Sequence, residues 1–109
     1  MNTLTFDWND FKEKTFQRMM AEKNPDIYGH IFVQSPQREY IVDVQWETYE
    51  SFDRNGISLN LYETGGDGMG MHGKWIDDIQ TISFSKSYER FQRRAANAIR
   101  TAIIKYEES

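Results

Sequence analysis

The hydrophobic period of the chain changes twice, and the changes mark out its elements. In "FDWNDFKEKTFQRMMAEKN" the residues Trp8, Phe11, Thr15, Phe16 and Met19 recur three or four positions apart, the spacing of a helix with one buried stripe. Asp7 is placed to cap this helix, and Asp10 falls at the third position, where the helix dipole favours an acid. Phe6 and Phe11 occupy the positions of a hydrophobic staple. The helix is expected over residues 7–23. It ends where Asn24 precedes Pro25, because a residue before proline is pushed out of the helical region.

Beyond residue 26 the period falls to two. "IYGHIFVQ" sets Ile27, Ile31 and Val33 against Tyr28, His30 and Phe32, and "EYIVDVQWETYE" sets Tyr40, Val42, Val44 and Trp46 against Asp43, Gln45 and Glu47. "ISLNLYE" repeats the pattern with Ile57, Leu59 and Leu61 against Ser58, Asn60 and Tyr62. Such alternation belongs to strands with one face in the core. The turns are "SPQR" and "DRNG", the second an Asn-Gly pair that tolerates positive φ. A fourth strand is expected over "IQTISFS", carrying Ile82 and Phe84. The helical period then returns over 86–107, with Tyr88, Phe91, Ala95, Ala98, Ile99, Ala102, Ile103 and Tyr106 in one stripe and Ser85 or Ser87 as cap.

The predicted class is α+β: an antiparallel sheet of three to four strands, with the N-terminal and C-terminal helices packed on one face (α-β-β-β-β-α). With 109 residues, one domain is expected, burying about two thirds of its unfolded surface.

Between the third and fourth strands lies "GGDGMGMHGKW", which places five of the seven glycines between Gly65 and Gly73. Gly68-x-Gly70-x-x-Gly73 matches the dinucleotide fingerprint by letter. That fingerprint requires a helix to begin on it, and "KWIDDIQTISF" has no helical period. "GMGMHGKW" matches a P-loop except at its last position, where Trp75 stands for the hydroxyl that ligates Mg²⁺. No nucleotide, metal or other cofactor is therefore expected. Residues 65–74 are expected to form a mobile connection, given the backbone entropy of glycine. Met69, Met71, His72 and Trp75 on it are candidate contacts, methionine and tryptophan being favoured at binding surfaces; the competing reading anchors Trp75 in the core.

Other chemistry is sparse. There is no cysteine, which excludes disulfides and thiolate metal sites. A metal site from His72, Asp67, Asp77 and Asp78 has no recognised ligand spacing. Asp43 and Glu47 share a strand face and Asp77 adjoins Asp78, but acids so placed usually face solvent. No catalytic residue is assigned.

Charge adds an asymmetry. Residues 1–84 carry −7 and residues 85–109 carry +3. Lys86, Arg90, Arg93, Arg94 and Arg100 give the last helix a basic stripe, the footprint of a nucleic-acid contact, although the whole chain is acidic, with a net charge of −4. The favoured reading is a small non-enzymatic domain that binds another protein, through the loop and through an acidic strip at Asp43, Glu47, Glu50 and Asp53 that fits an Arg/Lys-lined groove. By analogy, stoichiometric inhibitors such as phage-encoded antagonists of defence nucleases, or immunity proteins, have this character, and the partner would then belong to a nucleic-acid-processing complex. The alternatives are nucleic-acid binding by the basic helix and a small enzyme or ligand-binding fold. No signal peptide or membrane span is visible, so a cytoplasmic location is expected.

Overall fold

The alternating segments form the centre of a sheet. The computed structural model describes residues 3–49, 54–65, 72–81 and 87–109. Its elements are β1 (Thr5–Asp7), α1 (Glu13–Glu22), β2 (Tyr28–Gln34), β3 (Glu39–Tyr49), β4 (Arg54–Glu63), β5 (Trp75–Thr81) and α2 (Tyr88–Glu108). The strands lie in the order β1-β2-β3-β4-β5, each antiparallel to its neighbour. The class is α+β, with one more strand than expected.

The extra strand corrects the reading of the N-terminus. Thr5, Phe6 and Asp7 pair with Gln34, Val33 and Phe32, so Phe6 is a ladder residue and not half of a staple. Asp7 caps no helix. Its carboxylate accepts from the Asn9 N–H at 2.9 Å, and the helix begins after Lys12, which makes no side-chain cap. The free edge of β2 offers residues 5–7 backbone partners that outweigh the local helical pattern. At the other end, Lys23 adopts the left-handed conformation, with φ 51°, and donates its N–H to the Met19 carbonyl.

The second correction concerns β5, which starts at Trp75. Its pairing slips at Leu61/Tyr62: Leu61 faces Asp77 and Tyr62 faces Trp75, leaving Ile76 as an extra residue. Ile82 and Phe84 lie outside the described residues.

Both helices cover the face that carries Ile31, Val33, Val42, Val44, Leu59 and Leu61, where Phe16, Met19, Phe91, Ala95, Ile99 and Ile103 complete the main core. The two helices meet through aromatic rings: Phe16 lies 5.0 Å from Phe91 and 5.5 Å from Tyr88, and Phe11 lies 5.5 Å from Phe91. The Tyr88 hydroxyl donates to the Phe11 carbonyl.

The end of α2 is fixed differently. Glu107 accepts from the Ser35 hydroxyl at 2.7 Å and from the Tyr40 hydroxyl. Burial, then the Glu107 carboxylate, holds the Tyr40 phenol well above its ordinary value of 10.0, and burial raises Tyr88 too. The folded state thus keeps these protons where the unfolded state releases them. Their contribution is complete below about pH 10, the unfolded value, and is lost as the pH rises above it. Urea unfolding at pH 8, 9, 10 and 11 should show stability falling over the last two steps, and Tyr40→Phe should flatten that fall. An unchanged slope in Tyr40→Phe would contradict the assignment.

Candidate functional site

Among the described residues, both helices lie on one face of the sheet and leave the other open. Pleating sends alternate residues to that open face, and the pairing aligns them in rows. One row is His30, Asp43, Asn60 and Asp78; the next is Phe32, Ile41, Tyr62 and Trp75. Tyr28, Gln45 and Ser58 form a third. Tyr28 and Trp75 are the large hydrophobic residues left exposed, at 62% and 54%. Ile41, though fully buried, belongs to this face and not to the main core cluster. Ser58 donates to Asp78 Oδ1 at 3.0 Å.

At the centre of the face two histidines converge on one carboxylate. His72 Nε2 lies 2.8 and 2.9 Å from the two oxygens of Asp43, and His30 Nε2 lies 3.3 Å from Asp43 Oδ1. The other ring nitrogen of His30, Nδ1, is 2.9 Å from Asp10 Oδ2. The three side chains are partly shielded, with His30 at 17%, Asp43 at 29% and His72 at 38% exposure.

Each member is held by backbone. His30 and Asp43 are direct cross-strand partners on β2 and β3. Asp10 is pressed against β2 at Gly29, where a Cβ would come within 2.7 Å of Phe11 Cδ1 and 2.9 Å of the Asp10 carbonyl. His72 is placed by the backbone pairing of Glu63 with Gly73 and Lys74. Gly73 donates to the Glu63 carbonyl and Glu63 to the Lys74 carbonyl, both at 2.8 Å. A Cβ on Gly73 would lie 2.6 Å from the Glu63 oxygen, so glycine is needed there for the approach. The His72 ring then stands edge-on to Tyr62, 4.8 Å between centroids at 89°.

Of the residues singled out in the sequence, Asp43 and His72 come together, Trp75 lies on the same face and outside the core, and Glu47 follows Asp43 on β3. Met69, Met71, Glu50, Asp53 and Lys86 lie outside the described residues, as do residues 66–71 of the connection expected to be mobile over 65–74; at its far end Gly73 and Lys74 are hydrogen-bonded to Glu63. Among the described residues His72 converges with Asp43 and His30 and not with Asp77 or Asp78; Asp67 is outside them. Arg90, Arg93, Arg94 and Arg100 are exposed on α2. Arg93 pairs with Glu89 at 3.5 Å, and Arg100 lies over the Phe6 ring at 5.8 Å. Exposed pairs of this kind contribute only about 0–1 kcal/mol, so Arg93→Ala should change the denaturation midpoint little.

The sequence pattern singles out neither His30 nor Asp10 as a site residue. His30 was recoverable, because a four-residue turn at 35–38 pairs Gln34 with Glu39 and, counting back, His30 with Asp43. Asp10 had no such signal, as its position depends on the unforeseen β1.

No helix among the described residues is long and apolar enough to cross a membrane. Comparison with protein-family models, with curated proteins and with solved structures gives no match.

Proposed function

We propose that the chain is a non-enzymatic protein-binding domain that applies the open face of its sheet to a basic surface on a larger protein. The observation that carries this reading is the pair of exposed rings, Tyr28 and Trp75, set on a face to which Asp43, Glu47 and Asp78 bring acidic groups. Large aromatic side chains anchor interfaces, and acids beside them select a partner of opposite charge. A face of this kind suits a stoichiometric inhibitor of a nucleic-acid-processing protein, since such a protein carries Arg/Lys-lined grooves for phosphates.

The test is affinity capture from a host lysate with the wild-type chain and with Tyr28→Ala/Trp75→Ala. The double variant should lose the captured protein, while exposed substitutions of this kind shift stability by only about 0.5 kcal/mol each. Capture that survives the substitutions counts against the reading. Salt-dependent binding of duplex DNA or RNA that disappears in Arg93→Ala/Arg94→Ala would replace it with nucleic-acid binding by α2.

A further inference from the structure

We infer that His30 Nε2, His72 Nε2 and the Asp43 carboxylate form a binding site for one divalent transition-metal ion of the zinc class. The site shares Asp43 and the open face with the protein-binding reading, but it stands on the donor geometry alone.

The hydrogen positions give the first reason. Asp10 is an acceptor, so His30 carries a hydrogen on Nδ1, where Asp10 Oδ2 lies 2.9 Å away. In the neutral ring Nε2 is then a lone pair, yet it faces the acceptor Asp43 Oδ1 at 3.3 Å. Two acceptors at that distance need either a metal cation or a second ring proton between them. His72 Nε2 points at the same carboxylate from the other side. One carboxylate facing two imidazole nitrogens is a set of two nitrogen donors and one oxygen donor, the kind that zinc and its neighbours accept at sites with open positions.

Spacing gives the second reason. The ligand atoms of all three residues lie within 4.8 Å of one another, and Asp43 Oδ1 lies 2.8 Å from His72 Nε2 and 3.3 Å from His30 Nε2. A tetrahedron with bonds of about 2.0–2.1 Å has corners about 3.3–3.4 Å apart, so the two nitrogen–oxygen separations lie within about half an ångström of it, and side-chain rotation has to close the widest separation of the set. The third reason is Asp10. A ligating histidine commonly donates its other N–H to a carboxylate, which fixes the ring and raises its basicity, and Asp10 stands in that place on His30. The remaining coordination positions face the open side of the sheet, where water or a side chain of another molecule can enter.

The competing account has His72 donate to Asp43 from its Nε2–H tautomer and puts a second proton on His30 alone, and calorimetry separates the two. Untagged full-length chain, stripped with EDTA and dialysed at pH 7.5, is titrated with ZnCl₂. One Zn²⁺ should bind per chain, and His30→Gln, Asp43→Asn and His72→Gln should each weaken binding at least tenfold, with circular dichroism unchanged. Should a variant fail to fold, Co²⁺ added to the wild-type chain gives the second measurement: visible absorption bands of low-symmetry Co²⁺, displaced by one equivalent of Zn²⁺, support the site. Absence of saturable Zn²⁺ binding overturns the proposal, as does any folded variant of the three that loses less than tenfold, or a Co²⁺ spectrum that remains that of the aqueous ion.

Discussion

Truncation of Phe91 to alanine is expected to lower the free energy of unfolding by about 3–5 kcal/mol. Phe91 is fully buried on α2, and its ring lies 5.0 Å from Phe16 on α1 and 5.5 Å from Phe11 before it. The cavity left behind would be walled by rings that cannot easily move inward. Tyr88 is tied by its hydroxyl to the Phe11 carbonyl, and Phe11 is wedged against β2 at Gly29. Poor collapse puts the cost in the upper range for such substitutions. Against a total stability of about 5–15 kcal/mol for an ordinary domain, this is a large share. Urea denaturation of Phe91→Ala and Phe91→Leu should place the leucine variant between alanine and wild type. A loss under about 1.5 kcal/mol in Phe91→Ala would mean that the site repacks, contrary to the close-packed interior inferred here.

The core was legible because it follows period. Ile31, Val33, Val42, Val44, Leu59 and Leu61 alternate in the sequence and all lie under the helices; the stripe of α2 was equally regular, and its cap Ser87 accepts from the Arg90 N–H as a cap should. Where the readings failed, a non-local partner decided the outcome. Residues 5–7 have a local preference for leading into a helix, and the unpaired edge of β2 draws them into the sheet. "WIDDIQT" hides its strand because the slip at Leu61/Tyr62 breaks the alternation. The cluster around His72 was hidden for a related reason: its neighbours Asp43 and His30 come from β3 and β2 and meet it only across the sheet. Gly73 is required by one close backbone approach, a reason that glycine density along the sequence does not reveal.

Gly29→Ala links the fold to the site and should damage both. An alanine Cβ at this position would stand 2.7 Å from Phe11 Cδ1 and 2.9 Å from the Asp10 carbonyl oxygen. Neither is the loose end of a flexible side chain: one belongs to a ring packed in the core and the other to backbone. Relief requires the Asp10–Phe11 segment to move off β2, and overpacking of this sort costs about 1–3 kcal/mol. The same displacement carries the Asp10 carboxylate away from His30 Nδ1, which it now meets at 2.9 Å. Loss of such a supporting carboxylate typically weakens a metal site about 10–100-fold, so Zn²⁺ affinity should fall along with the melting temperature. Asp10→Asn separates the two effects, because it removes the charge on His30 while leaving the backbone in place. Its expected signature is the same loss of Zn²⁺ affinity with thermal stability close to wild type. Should Gly29→Ala melt at the wild-type temperature, the segment would be free to shift, and the wedge that sets Asp10 beside His30 would not exist. Should it melt early yet bind Zn²⁺ as tightly as wild type, Asp10 would have no part in holding the imidazole, and His30 would be oriented by its strand alone.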